Sequence, residues 1–259
     1  MSDPHGGKPG SPAAHAHGAA EAPLDVRERG AMVEGQPQLL DGRLFMQLLV
    51  FRHAGGGGPH ELVGKLGEAL GAAKVGAVIY EDVNDPLGFG LLSFSENPLD
   101  FVTKVRPVLA ALGASLELRS DFTMLGRTYS SGYEPDLRFW LLDRPRATVL
   151  NEAWPWAVWY PLRRNGAFAR LEPREQGGIM REHGTIGKSY AGADLAHDVR
   201  LACHGLDTND NEFVIGLIGK ELHPLSHVVQ AMRSTRQTSE FIEQMGPFFV
   251  GRAVFRSPG

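Results

Sequence analysis

The chain has 259 residues, 42% of them apolar and 22% charged, with a formal net charge of −4. That is the composition of an ordinary soluble globular protein, with room for one large domain or two smaller ones. The charge balance supplies no basic field for nucleic acid or an anionic membrane, so neither is an expected partner. Cys203 is the only cysteine, which excludes an intrachain disulfide and a cysteine-built zinc or iron–sulfur centre, and fits a reducing, cytoplasmic setting. The longest apolar runs, such as residues 44–51, are strand-sized and far short of the ~20 residues a membrane-spanning helix needs. No basic segment followed by an apolar one marks a secretory signal.

Residues 1–35 are Gly, Ala, Pro, His and Ser with few large apolar side chains, and are expected to form an unstructured tail. His5, His15 and His17 lie in it and are read as solvated, since a specific metal site requires pre-organised geometry. From Arg43 the patterning becomes regular. Residues 43–53 read as a buried strand, followed by the glycines Gly55 to Gly58. No Gly-Lys-Ser/Thr ending follows them, so they read as a flexible connection rather than a phosphate loop. Pro59 opens a helix with the stripe Leu62, Val63, Leu66 and Leu70. Residues 75–81 form a strand, Asn84-Asp85-Pro86 a turn, and residues 89–94 a second strand. Asn97 then caps a helix that Pro107 kinks or shortens, and residues 115–125 form a last strand. The order β-α-β-β-α-β over residues 36–125 is that of a ferredoxin-like module.

Residues 126–153 are rich in turn formers and charges and read as a connection. The same order then returns in residues 154–259: strand 154–163, helix 173–183, strands 196–203 and 213–218, helix 224–233 and strand 248–255. A short internal match supports a repeat: Phe89, Asn97-Pro98-Leu99 and Val102 correspond to Phe213, His223-Pro224-Leu225 and Val228. The expected fold class is α+β, two ferredoxin-like modules of the dimeric α+β barrel type.

The second half carries the chemistry-bearing residues. Tyr160 ends an aromatic strand that runs into Pro161, Arg163 and Arg164. This is either a core strand with a solvated basic end, or a phenol with guanidinium forks placed for a carboxylate-bearing ligand. His183 follows Ile179 and Met180 by four and three positions, on the apolar side of a helix expected to close at Gly184. With no second His, Cys or carboxylate at ligand spacing, two readings stand. His183 either hydrogen-bonds near a helix end, or is the one protein ligand of an ion held otherwise by a macrocycle, as in haem.

Several blocks carry a resemblance: Tyr160-Pro161-Leu162-Arg163-Arg164, the run from Met180-Arg181-Glu182-His183-Gly184 to Gly187-Lys188-Ser189-Tyr190-Ala191-Gly192, Gly205-Leu206-Asp207, Glu212-Phe213, Met232-Arg233 and Pro247-Phe248-Phe249-Val250-Gly251. Through them residues 154–252 resemble the chlorite dismutase superfamily, which includes the coproheme decarboxylases. The resemblance implies a homo-oligomer, often a pentameric ring, with haem (coproheme or haem b) and its iron in the C-terminal module. It implies His183 as the iron ligand, Tyr160 as a redox-active tyrosine, and Arg164 and Arg233 as holders of propionates. Arg164 stands where the family usually has a lysine. The distal position falls near Asp198 or Val199, with Arg200 out of register. The glutamate that usually accepts from the proximal histidine falls at Arg236, which cannot accept, so His183 is expected to lack that partner. The implied activity is peroxide-dependent decarboxylation of coproheme to haem b. Chlorite dismutation or general haem peroxidase activity is the enzymatic alternative, the missing distal arginine arguing against chlorite. A haem carrier, a sensor or a haem-free assembly module stands as an alternative of another class.

Overall fold

A computed structural model describes residues 23–55 and 58–259. His5, His15, His17 and the middle of the glycine run lie outside these. The first half contains β1 (Glu28–Val33), β2 (Gln36–Leu40), β3 (Phe45–His53), α1 (Pro59–Ala72), β4 (Gly76–Asp82), β5 (Gly88–Ser95), α2 (Arg106–Ala111), β6 (Leu116–Leu118), β7 (Met124–Arg127) and α3 (Arg144–Leu150). The second contains β8 (Trp156–Arg164), α4 (Gly166–Ala169), α5 (Pro173–Gly192), β9 (His197–Ala202), β10 (Phe213–Gly219), α6 (Leu222–Arg233), β11 (Ile242–Met245) and β12 (Phe249–Pro258).

The strands close into a barrel. In the N-terminal half the order is β7-β3-β5-β4, in the C-terminal half β9-β10-β8-β12, and β4–β12 and β7–β9 are the two seams. Each half therefore has the strand order of a ferredoxin-like module, so the α+β class expected from the sequence is the class observed. Period-two alternation separates the layers. Met46, Leu48 and Val50 of β3, Ala157 and Trp159 of β8, and Val199 and Leu201 of β9 fill the barrel interior. The opposite faces pack outward, under α1 and α2 in the first half and under α5 and α6 in the second. Trp159 is fully buried, and its ring lies over its cross-strand partner Gly216. A Cβ at that position would come within 2.5 Å of the indole.

The structure corrects the sequence reading at four places. Residues 28–40, partly inside the expected unstructured tail, form a β1–β2 hairpin tied to the later chain by Ala31 N–H donating to the Glu134 carbonyl at 3.0 Å. Residues 126–153 are more than a connection, because Leu137, Leu141, Leu142 and Val149 are buried in the barrel core. Here, as before α2, a wide helical turn precedes a helix with proline in its first turn. Proline lacks the N–H that an α-turn would use, and its ring collides with the carbonyl four residues back. The strand expected over 115–125 is split into β6 and β7. Finally, α5 runs nine residues past His183, from Pro173 to Gly192. Ile179, His183, Ile186 and Tyr190 fall at i, i+4, i+7 and i+11, so the inward stripe continues and outweighs the helix-weakening glycines. Among the described residues no helix is long and apolar enough to cross a membrane.

Candidate functional site

The outer face of the C-terminal sheet and the helices above it enclose the candidate site. Tyr160 on β8 pairs with Ile215 on β10, and Ile215 pairs with Arg200 on β9, so the three form one rung across adjacent strands. Residues on one rung share a face. Since Val199 and Leu201 enter the barrel core, Asp198 and Arg200 take the opposite face, the one shared with Tyr160. Above this face α5 and α6 stand apart enough to leave an open-mouthed cavity of about 1110 Å³, mouth included. One wall carries His183, Gly184, Gly187 and Lys188 of α5, and another carries Val228, Val229 and Met232 of α6, while Trp140 contributes from the turn before α3 and Arg144 from its first residue. The glycines leave the α5 wall low beside the imidazole: a Cβ at Gly184 would meet nothing within 4 Å, and at Gly187 only the Met232 tip at 3.7 Å.

Tyr160 is 5% exposed and its ring stacks on Phe248 with centroids 4.7 Å apart. Among the described residues no group hydrogen-bonds its hydroxyl. Burial, with the nearby negative charge of Asp198, pushes the phenol pKa well up, against a smaller opposing effect of Arg233. Tyr160 is therefore a neutral phenol on the cavity wall. His183 is half-buried, with Nδ1 3.4 Å from the Thr235 hydroxyl. Burial lowers its pKa, and the charge of Arg200 lowers it further, against Glu182 and Asp198. A neutral imidazole is the form that can ligate a metal.

Between them lies a charged cluster. Asp198 accepts from Arg144 at 2.6 Å and pairs with Arg200 at 3.0 Å. Burial by itself would raise the Asp198 carboxyl, but Arg200 and Arg144 more than reverse this and hold it below the usual carboxylate range. Both an ionised carboxylate and a partly neutralised Arg200 thus line the cavity.

Of the residues singled out in the sequence, Tyr160 and His183 come together on this cavity and the two arginines do not line it. Arg164 is engaged elsewhere. Its backbone N–H donates to Glu212 at 3.1 Å, its guanidinium forks onto the same carboxylate, and it lies 4.4 Å from the Phe168 ring and 4.8 Å from the Phe213 ring. Glu212 is brought there by its N–H bond to the Leu162 carbonyl. The expected role of Arg164 on the ligand thus meets a side chain already committed to a half-buried ion pair. Arg233 is exposed at the end of α6, though close enough for its charge to act on Tyr160. Arg236 pairs with Glu175 at 2.8 Å and Glu240 at 2.9 Å. His183 does not lack a partner, as the arginine at 236 led one to expect, because Thr235 provides one a residue earlier.

The sequence reading gave no role to Lys188, Arg144 and Trp140, and set Arg200 aside as out of register. For Arg200 a signal was available: Val199 and Leu201 are apolar and Asp198 and Arg200 polar, so strict alternation puts Arg200 beside Asp198 whatever the alignment register suggests. Arg144 meets Asp198 across 54 positions of chain, with its guanidinium 4.7 Å from the Trp140 ring, and no local pattern announces that.

A family profile described as chlorite dismutase matches residues 118–254. Among solved structures, a haem-binding protein from Thermus thermophilus superposes with a TM-score of 0.63 at 20% identity, over 83% of this chain and 92% of that one. A cyanide complex of a chlorite dismutase variant from Candidatus Nitrospira defluvii gives 0.63 at 15% identity, over 82% and 90% of the two chains. Likeness at such identities establishes a shared fold. No functionally curated protein matches the sequence.

Proposed function

The chain belongs to the chlorite dismutase family, and from that premise we propose that it binds haem and catalyses the peroxide-dependent decarboxylation of coproheme. The observation that carries this reading is the neutral phenol of Tyr160, without a hydrogen-bond partner among the described residues, on the wall of the cavity that His183 also lines. The residues present fit a porphyrin: apolar side chains on the sheet and α6 walls, and a low glycine surface beside a neutral imidazole on an open-mouthed cavity. His183 would ligate the iron through Nε2. Haem iron, when bound, would supply the oxidising chemistry, with peroxide as the two-electron acceptor for each propionate.

The chain's own residues do the rest. Tyr160 would give up its phenolic proton and one electron and, as a tyrosyl radical, take a hydrogen from the propionate carbon next to the ring, which restores the phenol; loss of the carboxylate as carbon dioxide then forms the vinyl group and releases the second of the two electrons that peroxide accepts. Overall each propionate, with one hydrogen peroxide and one proton, becomes a vinyl group, carbon dioxide and two waters. Burial keeps the phenol protonated until the hydrogen is taken. Lys188 is the cation on the α5 wall available to a propionate, in place of Arg164. Asp198 favours a neutral oxidant, since its carboxylate offsets Arg200 where an anion such as chlorite would need a free cation. Carrier and sensor readings leave the unpartnered phenol without a use.

The test is Tyr160→Phe loaded with ferric coproheme and treated with hydrogen peroxide, followed by mass spectrometry. Porphyrin binding should persist and the stepwise mass losses seen with the unchanged protein should vanish. Losses retained in the variant would remove the phenol from the mechanism. If the unchanged protein oxidises a dye but leaves the coproheme mass intact, the activity is that of a general haem peroxidase.

A further inference from the structure

We propose that Thr235 sets the ring tautomer of His183, holding the proton on Nδ1 and leaving Nε2 as a lone-pair donor on the cavity side. This rests on the site reading above and adds what orients its central ligand atom.

The argument is a count of protons. Thr235 is 1% exposed, so its hydroxyl must satisfy itself within the protein. That hydroxyl has one hydrogen, and the Met232 carbonyl lies 2.7 Å away and can only accept, which commits the hydrogen there. What remains on Oγ1 are lone pairs. Around it stand the Thr238 backbone N–H, which donates to it at 3.5 Å, the Thr238 hydroxyl at 3.4 Å, a longer alternative for the hydrogen than the Met232 carbonyl, and His183 Nδ1 at 3.4 Å. Toward His183 the hydroxyl can therefore act only as acceptor, so Nδ1 must carry the hydrogen. Thr235 stands one residue past the end cap of α6, and its backbone N–H donates to the Met232 carbonyl at 3.1 Å, so the acceptor is fixed by helix termination.

Two consequences follow. The acceptor is neutral, so the Nδ1 proton stays on the ring, and a metal at Nε2 meets a plain imidazole rather than the more basic ligand that a carboxylate partner produces. Thr235 is thus a positioning residue that acts through His183.

The measurement is a long-range proton–nitrogen correlation spectrum of the full chain, labelled with nitrogen-15 histidine, without porphyrin and at a pH where histidines are neutral. His183 is assigned by comparison with His183→Ala. The proposal requires an Nδ1–H, Nε2-unprotonated pattern in the unchanged protein and in Thr235→Ser, and a shift toward the Nε2–H form in Thr235→Val. An Nε2–H pattern in the unchanged protein overturns it, as does a Thr235→Val spectrum with His183 unaltered. The unchanged protein is decisive even if a variant fails to fold. Because no porphyrin is used, failure here is distinguishable from failure to bind haem.

Discussion

Replacing Arg164 separates a structural arginine from a ligand-binding one. The guanidinium and Glu212 side chains are 17% and 20% exposed, joined by a fork of hydrogen bonds and flanked by two aromatic rings. Arg164→Met keeps most of the aliphatic packing and leaves the Glu212 charge unpaired. Removing one partner of a buried pair costs about 3–5 kcal/mol, and the residual exposure here places the expected loss near ~3 kcal/mol. Arg164→Ala also gives up the two ring contacts, each worth about 0.5–1 kcal/mol, for a total of ~4 kcal/mol. Adding Glu212→Gln to Arg164→Met removes the stranded charge and should recover ~1–2 kcal/mol, within the usual range of coupling between contacting residues. The assay is urea unfolding at neutral pH, with porphyrin titration alongside. A stability change under about 0.5 kcal/mol in Arg164→Met, the range of ordinary surface substitutions, with porphyrin affinity lost would refute the reasoning and return Arg164 to the ligand.

The same pair has a pH signature. Burial would raise the Glu212 carboxyl, but its bonds to Arg164 and that residue's charge outweigh burial and hold it below its ordinary value of 4.5. Its stabilisation is therefore fully present above about 4.5 and lost as pH falls through the lower folded-state value, and Glu212→Gln should flatten stability across that acidic window, measured by unfolding at stepped pH. Gly216→Ala would drive a methyl into the Trp159 ring, 2.5 Å from the site of the new Cβ, and overpacking of this kind costs about 1–3 kcal/mol, to be read as a lowered Tm. Asp198→Asn removes a negative charge from the cavity and should tighten cyanide or azide binding to the haem-loaded protein on the order of tenfold, the equivalent of about 1.4 kcal/mol of repulsion at an effective dielectric near 20. Unchanged anion affinity would place Asp198 outside the ligand's field. Leu225→Ala, at a fully buried position on the sheet-facing side of α6, should cost about 2–5 kcal/mol, read by urea unfolding.

Much of the fold was legible because its signals are local. A run of large apolar residues marked β3, an aromatic-rich run marked β8, a helical-spacing stripe marked α1, and the recurrence of element order gave the two modules without any knowledge of how the barrel closes. What was missed depends on contacts distant in sequence. Leu137, Leu141, Leu142 and Val149 lie in a stretch of turn formers and charges, and only the barrel core makes them a buried set. The length of α5 was misjudged because Gly184 resembles a terminal cap, whereas packing of Ile186 and Tyr190 against the sheet carries the helix on. Tyr160 and His183 were found through short motifs. Thr235 was hidden by the change at its neighbour Arg236, which drew attention to a lost carboxylate and away from the hydroxyl beside it. The role expected of Arg164 followed from its residue type and position, and the pairing with Glu212 that redirects it is set by the register of β8 against β10.

The central claim, that this cavity holds a porphyrin through His183, is tested most directly by absorption titration of the purified chain with ferric coproheme, with haem b in parallel. The account predicts a saturable shift of the Soret band that is lost in His183→Ala. No saturable change with either porphyrin, or an equal change in the variant, would contradict it.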